Sequence, residues 1–134
     1  MDKVLLDTDI FSETLKGINT TVMARGAAYR AVWSRYTISS ITVTEIVKGF
    51  HRLSREDRIH QLLTGIPTIE VLTVERESAE IAGRIYADLE RTGQPIGRAD
   101  PLIAAIAIRH DLPLVTGNQA HFQRIPALGY ALRL

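Results

Sequence analysis

The sequence predicts an α/β protein with a central, mainly parallel sheet of four to five strands flanked by helices. Short apolar or β-branched runs alternate along the chain with longer segments of helical periodicity. This alternation is typical of helical crossovers between parallel strands. No linker, repeat or low-complexity tract interrupts the 134 residues. We therefore expect one domain that spans residues 1–134.

Four short runs have the composition of strands. Residues 4–6 form an apolar run that ends at Asp7, and residues 68–73 are rich in β-branched side chains. Two further strands are predicted at residues 36–39 and 114–116, and residues 130–134 are a candidate edge strand. Each strand is separated from the next by enough residues for a helix.

Five helices are predicted between these strands. The clearest covers residues 75–91, where Ala82, Ile85 and Leu89 recur at helical spacing. The others are predicted at residues 20–35, 55–63 and 100–109, and in a segment that follows residues 40–45 and carries Ile46, Val47 and Phe50. Residues 93–97 form a predicted loop that contains two glycines and a proline.

The composition excludes several classes of site. Hydrophobic residues make up 46% of the chain and charged residues 23%, which is typical of a globular protein with its own core. The absence of cysteine excludes disulfides and thiolate-bound metals. No apolar run approaches the roughly 20 residues of a membrane span, and the first residues do not form a signal peptide. We expect a cytoplasmic protein without a membrane association.

A net charge of +1 neither requires nor excludes nucleic acid as a partner. An RNA-binding protein of this charge would need its basic residues on one face. The candidates are Arg25, Arg30, Arg35, Lys48, Arg52, Arg55 and Arg58. The alternative is that these residues are solvated positions on ordinary helix faces.

Polar residues follow two of the predicted strands. Asp7 ends the first, and Thr116 to Asn118 end the strand at residues 114–116. Because parallel α/β sheets carry their sites beyond the carboxyl ends of the strands, both segments are expected at the same edge. Asp7 could also cap a helix or start a turn, and Asn118 could be a turn residue with positive φ.

Two further acids, Glu45 and Asp100, are candidates for the same site. Each has a structural alternative: Glu45 could favour the positive end of its helix, and Asp100 could be an N-cap followed by Pro101. Carboxylates are the ligands that Mg²⁺ and Mn²⁺ prefer. The four histidines form no ligand pair, so a zinc site is not predicted.

Four segments of the chain resemble, in order, the successive motifs of PIN domains. They are LLDTDI at residues 5–10, SITVTEIVKG at 40–49, IGRADPLIAA at 96–105 and VTGNQAHF at 115–122. The similarity is strongest to the VapC toxins of bacterial toxin–antitoxin pairs. Any one of these motifs is weakly specific, whereas all four at this spacing span nearly the whole chain.

The resemblance implies a PIN-like fold and an endoribonuclease that depends on Mg²⁺ or Mn²⁺. The family's three acids fall on Asp7, Glu45 and Asp100, which would bind the metal, with Glu45 either holding metal-linked water or acting as a general base. Its fourth motif falls on Thr116 and Asn118. The resemblance also implies a VapB-like antitoxin partner, a homodimer, and transfer or ribosomal RNA as substrate.

Two positions depart from the family pattern. Asp9 stands where relatives often carry Asn, and the neutral Asn118 occupies the fourth acidic position. We expect one tightly bound metal, with Asp9 as an additional ligand or hydrogen-bond acceptor. Thr8 and Thr116 are expected to hold an oxygen by hydrogen bonding. Arg98 is a candidate phosphate contact, or else an exposed loop residue.

Two alternatives compete with the nuclease. The pattern Asp7-Thr8-Asp9 superficially fits a phosphohydrolase with an aspartate nucleophile, but Phe11 stands where that pattern requires Thr or Val. A catalytically weak or inactive PIN-like binding module is the second alternative, and Asn118 is the residue that raises it.

Overall fold

The computed structural model describes residues 1–134. Its strands are β1 (Leu5–Leu6), β2 (Thr37–Ser39), β3 (Glu70–Leu72) and β4 (Leu114–Val115). Its helices are α1 (Thr8–Lys16), α2 (Thr20–Trp33), α3 (Ser40–Arg52), α4 (Glu56–Gly65), α5 (Arg76–Arg91), α6 (Asp100–Arg109) and α7 (Gln119–Phe122). Short 3₁₀ helices lie at Ile66–Thr68 and Pro126–Leu128.

The four strands are paired in parallel, as predicted. β1 pairs with β4 and β2 pairs with β3, whereas β1 and β2 lie side by side without ladder hydrogen bonds between them. The strands therefore follow the order β3-β2-β1-β4, with a seam between the two hydrogen-bonded halves. The carboxyl ends of all four strands face the same edge of the molecule.

Helices cover both faces of this sheet. Leu5 of β1 packs into a core cluster with residues of α5, α6 and β4, whereas Leu6 packs on the opposite face with Phe11, Ile38 and Ile46. This alternation is the two-residue period of a strand buried on both faces. None of the helices combines the length and apolar character needed to span a bilayer.

Helix α1 is an element that the sequence pattern does not predict. It begins directly after Asp7, which is its N-cap, and it ends at Gly17, whose φ of 67° is left-handed. Phe11 is its fully buried anchor. The neighbouring α3 also begins earlier than expected, at Ser40, because the Ser39 side chain accepts a hydrogen bond from the backbone N–H of Thr42.

The predicted edge strand at residues 130–134 is wrong. A single backbone bond of 2.8 Å joins the N–H of Leu114 to the carbonyl of Arg133. The N–H of Leu132 donates to the carbonyl of Tyr130 at 2.9 Å, so the chain turns tightly there and does not extend. Burial of Leu132 in the core, with 6% of its surface exposed, holds the segment in place.

Candidate active site

Asp7 lies at the carboxyl end of β1 and is 6% exposed. One carboxylate oxygen, Oδ1, accepts from the backbone N–H of Thr8 at 2.8 Å, and Oδ2 accepts from the hydroxyl of Thr116 at 2.8 Å. Asp7 is therefore the N-cap of α1, and its second carboxylate oxygen contacts Thr116, which follows β4. Burial raises its pKa to about 6, the two hydrogen bonds oppose this shift, and the charges of Asp9 and Asp100 add to it.

A chain of hydroxyl groups holds Glu45. The Thr8 hydroxyl donates to Glu45 Oε1 at 2.6 Å and lies 2.9 Å from the Thr42 hydroxyl, to which Ser39 donates at 3.4 Å. Because the single Thr8 proton is used on Glu45, Thr42 must donate to Thr8. Glu45 lies in the second turn of α3, and its position is therefore set by these side chains and not by the helix N-terminus.

Asp100 is the first residue of α6, and Ala99 occupies the N-cap position. The alternative interpretation of Asp100 as an N-cap is wrong, since its side chain makes no capping hydrogen bond. Its Oδ2 instead lies 2.9 Å from His121 Nδ1, which is 3.0 Å from the side-chain nitrogen of Asn118. His121 thus links Asp100 to Asn118. Burial raises the pKa of Asp100, and His121 opposes that shift.

Asn118 is not the positive-φ turn residue of the alternative interpretation, because its φ is −105°. Its backbone N–H donates to the hydroxyl of Thr116 at 3.0 Å, so Thr116 connects it to Asp7. The turn between β4 and α7 is therefore joined to the end of β1 by side-chain as well as backbone bonds.

Asp9 is exposed and joins the same turn. Its Oδ2 accepts from the backbone N–H of Gly117 at 2.9 Å, and its Oδ1 accepts from the backbone N–H of Ile10 at 2.7 Å. A Cβ at position 117 would lie 2.7 Å from Asp9 Oδ2, so only glycine permits this approach without a shift of the carboxylate. Gly117 was not predicted as a site residue.

The electrostatics of this edge are unfavourable for negative charge. The carboxylates of Asp7, Asp9 and Glu45 have no basic side chain within 4.0 Å, whereas most acids elsewhere in the chain do. The charges of Asp9 and Glu45 also raise the pKa of Asp100. A cluster of acids without neighbouring basic side chains is suited to bind a cation from solution.

Arg98 is exposed in the loop before α6 and has no acid within 4.0 Å. Two contacts fix this loop: Ile96 is buried in the core, and the Tyr86 hydroxyl donates to the carbonyl of Arg98. The guanidinium therefore projects from an anchored backbone two residues before Asp100.

Comparison with known proteins places this site in a family. The PIN domain profile matches residues 4–128. The chain is 34% identical to the tRNA(fMet)-specific endonuclease VapC of Salmonella typhimurium over 96% of both chains. It is also 34% identical to a ribonuclease VapC of Rickettsia bellii, over 79% of this chain and 84% of the relative.

This chain belongs to the PIN-domain family. The DNA-bound VapBC structure from Salmonella typhimurium has a TM-score of 0.82 and 33% identity, and the match covers 99% of this chain and 96% of that one. The resemblance inferred from the four motifs and the predicted PIN-like fold are both confirmed.

The PIN domain brings most of the predicted site residues to one edge. Hydrogen bonds connect Asp7 with Thr8 and Thr116, and Glu45 with Thr8. The predicted residues Asp9, Asn118 and Asp100 join the same edge through Gly117, Thr116 and His121. The basic residues predicted as one RNA face are divided, because Arg25 lines one cavity of this PIN domain and Arg52, Arg55 and Arg58 line another.

Four residues of this PIN-domain site were not predicted from the sequence: Ser39, Thr42, Gly117 and His121. A local signal existed for Ser39 and Thr42, because Ser-x-x-Thr before an apolar helical run fits an N-cap and its first turn. His121 lies three residues after Asn118, which puts the two on one face of a helix. For Gly117 no local pattern distinguishes a close approach to Asp9 from an ordinary turn.

The donor set of this PIN domain fits a hard divalent cation, since it consists of carboxylate and hydroxyl oxygens, and His121 beside Asp100 is the only basic side chain within 4.0 Å of its acids. No three histidine or acidic side chains lie close enough together to bind one ion. Direct coordination by one or two carboxylates, with water in the remaining positions, is the usual binding mode of Mg²⁺. The residues present therefore fit a magnesium-type site of that kind.

Proposed function

We propose that this PIN domain is a metal-dependent endoribonuclease and the toxin of a type II toxin–antitoxin pair that inhibits translation by cutting RNA. The observation that supports the proposal most directly is the group of three acids at the carboxyl edge of the sheet: Asp7 after β1, Glu45 in α3 and Asp100 at the start of α6. Asp7 and Glu45 have no basic partner, although charge pairs are common elsewhere on the surface.

In the proposed mechanism, Asp7 and Asp100 would hold Mg²⁺ or Mn²⁺. The cation would supply charge neutralisation at the scissile phosphate and would lower the pKa of water. Glu45, held by Thr8, accepts a proton from the attacking water as the water oxygen bonds to phosphorus. The bond to the 3′ oxygen breaks, and solvent protonates that oxygen. The products carry a 5′-phosphate and a 3′-hydroxyl.

Other side chains orient these acids. Thr116 holds Asp7, His121 holds Asp100, and Asp9 fixes the turn that carries Asn118. Arg98, which is exposed two residues before Asp100, would contact a phosphate of the RNA. We propose that the RNA is transfer or ribosomal RNA, since one relative is named a tRNA(fMet)-specific endonuclease.

The proposed partners are a VapB-like antitoxin and a second copy of the chain. Several solved relatives of similar fold are VapBC complexes, and those from Salmonella typhimurium and Rickettsia felis are bound to DNA. The homodimer and the cytoplasmic location stay predictions. The proposal that the chain is one domain over residues 1–134 is supported by the profile match over residues 4–128.

The products of a digest test the mechanism. Total RNA incubated with the purified chain and Mg²⁺ should yield fragments whose new ends are a 5′-phosphate and a 3′-hydroxyl, detected by adapter ligation that requires those ends. The antitoxin should suppress the cuts. Cyclic 2′,3′-phosphate ends would contradict the proposed water attack, because they arise when the RNA 2′-hydroxyl is the nucleophile.

Thr8→Val should lower kcat about tenfold to a hundredfold with little change in KM. A hydrogen bond to a charged group is worth about 1.5–3 kcal/mol, and each 1.4 kcal/mol is a factor of ten in rate. Thr8→Ser keeps the hydroxyl and should retain most of the activity. The matched control is Thr44→Val, which lies on the exposed face of α3. Equal losses in the Val and Ser variants would count against the hydrogen bond.

A further inference from the structure

A groove of about 480 Å³ lies between α1, α3 and α4 and opens at Thr8 and Glu45. It is therefore continuous with the acidic site. Its charged lining residues are all basic apart from Glu45; the four cations are Lys16, Arg52, Arg55 and Arg58. The neighbouring acidic edge and this basic groove form two adjoining parts of one concave surface.

Two of the four cations are free to bind an anion. Lys16 pairs with Glu13 at 3.2 Å, and Arg55 pairs with Asp57 at 2.9 Å. Arg52 and Arg58 have no acidic partner within 4.0 Å. Guanidinium groups bind phosphates through two parallel hydrogen bonds, so unpaired arginines beside a nuclease site favour a phosphate ligand.

Apolar side chains line the same groove as these cations. Leu15, Ile18 and Leu53 are 38%, 79% and 69% exposed and line the groove together with the partly buried Phe50. A smaller cavity of about 100 Å³ shares Leu15, Phe50 and Arg58 with the groove and continues it away from Glu45. The path is therefore lined by both charged and apolar side chains.

We propose that this groove binds single-stranded RNA on one side of the scissile phosphodiester. Arg52 and Arg58 bind backbone phosphates, while Leu15, Phe50 and Leu53 contact the faces of unstacked bases. Bases in a duplex are hidden in their stack, whereas a single strand presents its bases to apolar and aromatic side chains. The inference rests on the proposed ribonuclease function and assigns its substrate path.

The remaining basic residues do not offer such a path. Arg30 lies over the ring of Tyr36, with 5.1 Å from its Cζ to the ring centroid, and Arg35 pairs with Glu70 at 3.6 Å. Arg25 lines a separate cavity that neither Glu45 nor Thr8 borders. The groove is thus a cavity in which two unpaired arginines share a lining with Thr8 and Glu45 of the candidate active site.

The test measures the salt dependence of RNA binding. A fluorescein-labelled single-stranded oligoribonucleotide of mixed sequence is titrated with chains that carry Asp7→Asn, which prevents cleavage, and Kd is measured across a range of salt concentrations. Each phosphate contact on a single strand adds about 0.7 to the slope of log Kd against log salt. Arg52→Ser with Arg58→Ser should therefore lower the slope by about 1.4.

Two controls separate a phosphate contact from a change in net charge or in folding. Arg84→Ser with Arg91→Ser removes the same charge from the exposed face of α5, outside the groove, and should leave the slope unchanged. Arg52→Lys with Arg58→Lys keeps both charges in place and should restore most of the slope.

An unchanged slope in the groove variant, or an equal change in the α5 control, would overturn the groove assignment. If Arg52→Ser with Arg58→Ser leaves RNA binding unchanged but weakens binding of the antitoxin, the groove belongs to a protein partner. That result would also overturn the proposal that the groove binds RNA. Cleavage by the otherwise unaltered chain is assayed in parallel. A lower salt slope in the groove variant, together with no cleavage by the unaltered chain, would support RNA binding in the groove and refute the nuclease function. The two proposals can therefore fail separately.

Discussion

Asp7→Asn is expected to reduce RNA cleavage by about a thousandfold and to raise the melting temperature of the metal-free protein at neutral pH. A metal site contributes several kcal/mol to transition-state stabilisation, and about 4 kcal/mol corresponds to three powers of ten in rate. The side-chain oxygen of the substituted asparagine can still accept the hydrogen bond from Thr8 N–H, so the cap of α1 is kept.

The stability gain should depend on pH. The pKa of Asp7 is about 6 in the folded chain against an ordinary value of 3.8, so the folded state binds more protons between these values. Stability of the unsubstituted chain therefore falls as pH rises from about 4 to about 6, by at most about 3 kcal/mol, and stays lower above that. The advantage of Asp7→Asn should appear over the same range.

Thermal denaturation in EDTA between pH 4 and pH 8 measures this effect. The expected gain near pH 7.5 is several degrees, and it should vanish near pH 4. Glu90→Gln is the matched control, because it removes one negative charge from an exposed residue without an ion pair. A melting temperature for Asp7→Asn that is lower than that of the unsubstituted chain at every pH would make Asp7 a purely structural residue.

Chelation by EDTA is expected to abolish cleavage, and added Mg²⁺ or Mn²⁺ should restore it. Because a cation that binds only the folded chain stabilises it by mass action, saturating Mg²⁺ should also raise the melting temperature at pH 8, by the equivalent of about 2.7 kcal/mol at a hundred times Kd. The stabilisation by Mg²⁺ should shrink below pH 6, because a proton then occupies the Asp7 carboxylate and competes with the cation for it.

The matched comparison is between Asp7→Asn and Glu90→Gln. Asp7→Asn should lose most of the stabilisation by Mg²⁺, whereas Glu90→Gln should keep it. Full cleavage activity in the presence of EDTA would refute the metal requirement. Equal stabilisation of Asp7→Asn and the unsubstituted chain would place the cation elsewhere.

The sequence was sufficient to predict the parts of the site that follow strand ends. Asp7 and Thr116 come at the ends of apolar runs, and parallel strands bring such ends together whatever the connections are. Their hydrogen bond of 2.8 Å is consistent with that expectation. The family motifs added Glu45 and Asp100, whose roles could not be separated from helix-terminus chemistry by local pattern alone.

Features that depend on packing between distant elements were not predictable. The position of Glu45 depends on Thr8 and Thr42, which meet only because α1 packs against α3, and α1 itself was not predicted. His121 reaches Asp100 across 21 positions of sequence. Residues 130–134 have the composition of a strand, but burial of Leu132 and the turn at Tyr130 override that propensity.

The seam between β1 and β2 divides the acids between two halves of the sheet. Asp7 belongs to the β1–β4 half, whereas Glu45 follows β2 on α3, and only side-chain hydrogen bonds of Thr8 cross between them at this edge. The spacing between Asp7 and Glu45 can therefore change by a small shear of one half against the other, without breaking a ladder hydrogen bond. Such a shear would change the distance between the proposed metal ligand Asp7 and the proposed general base Glu45, while each half keeps its own pairing.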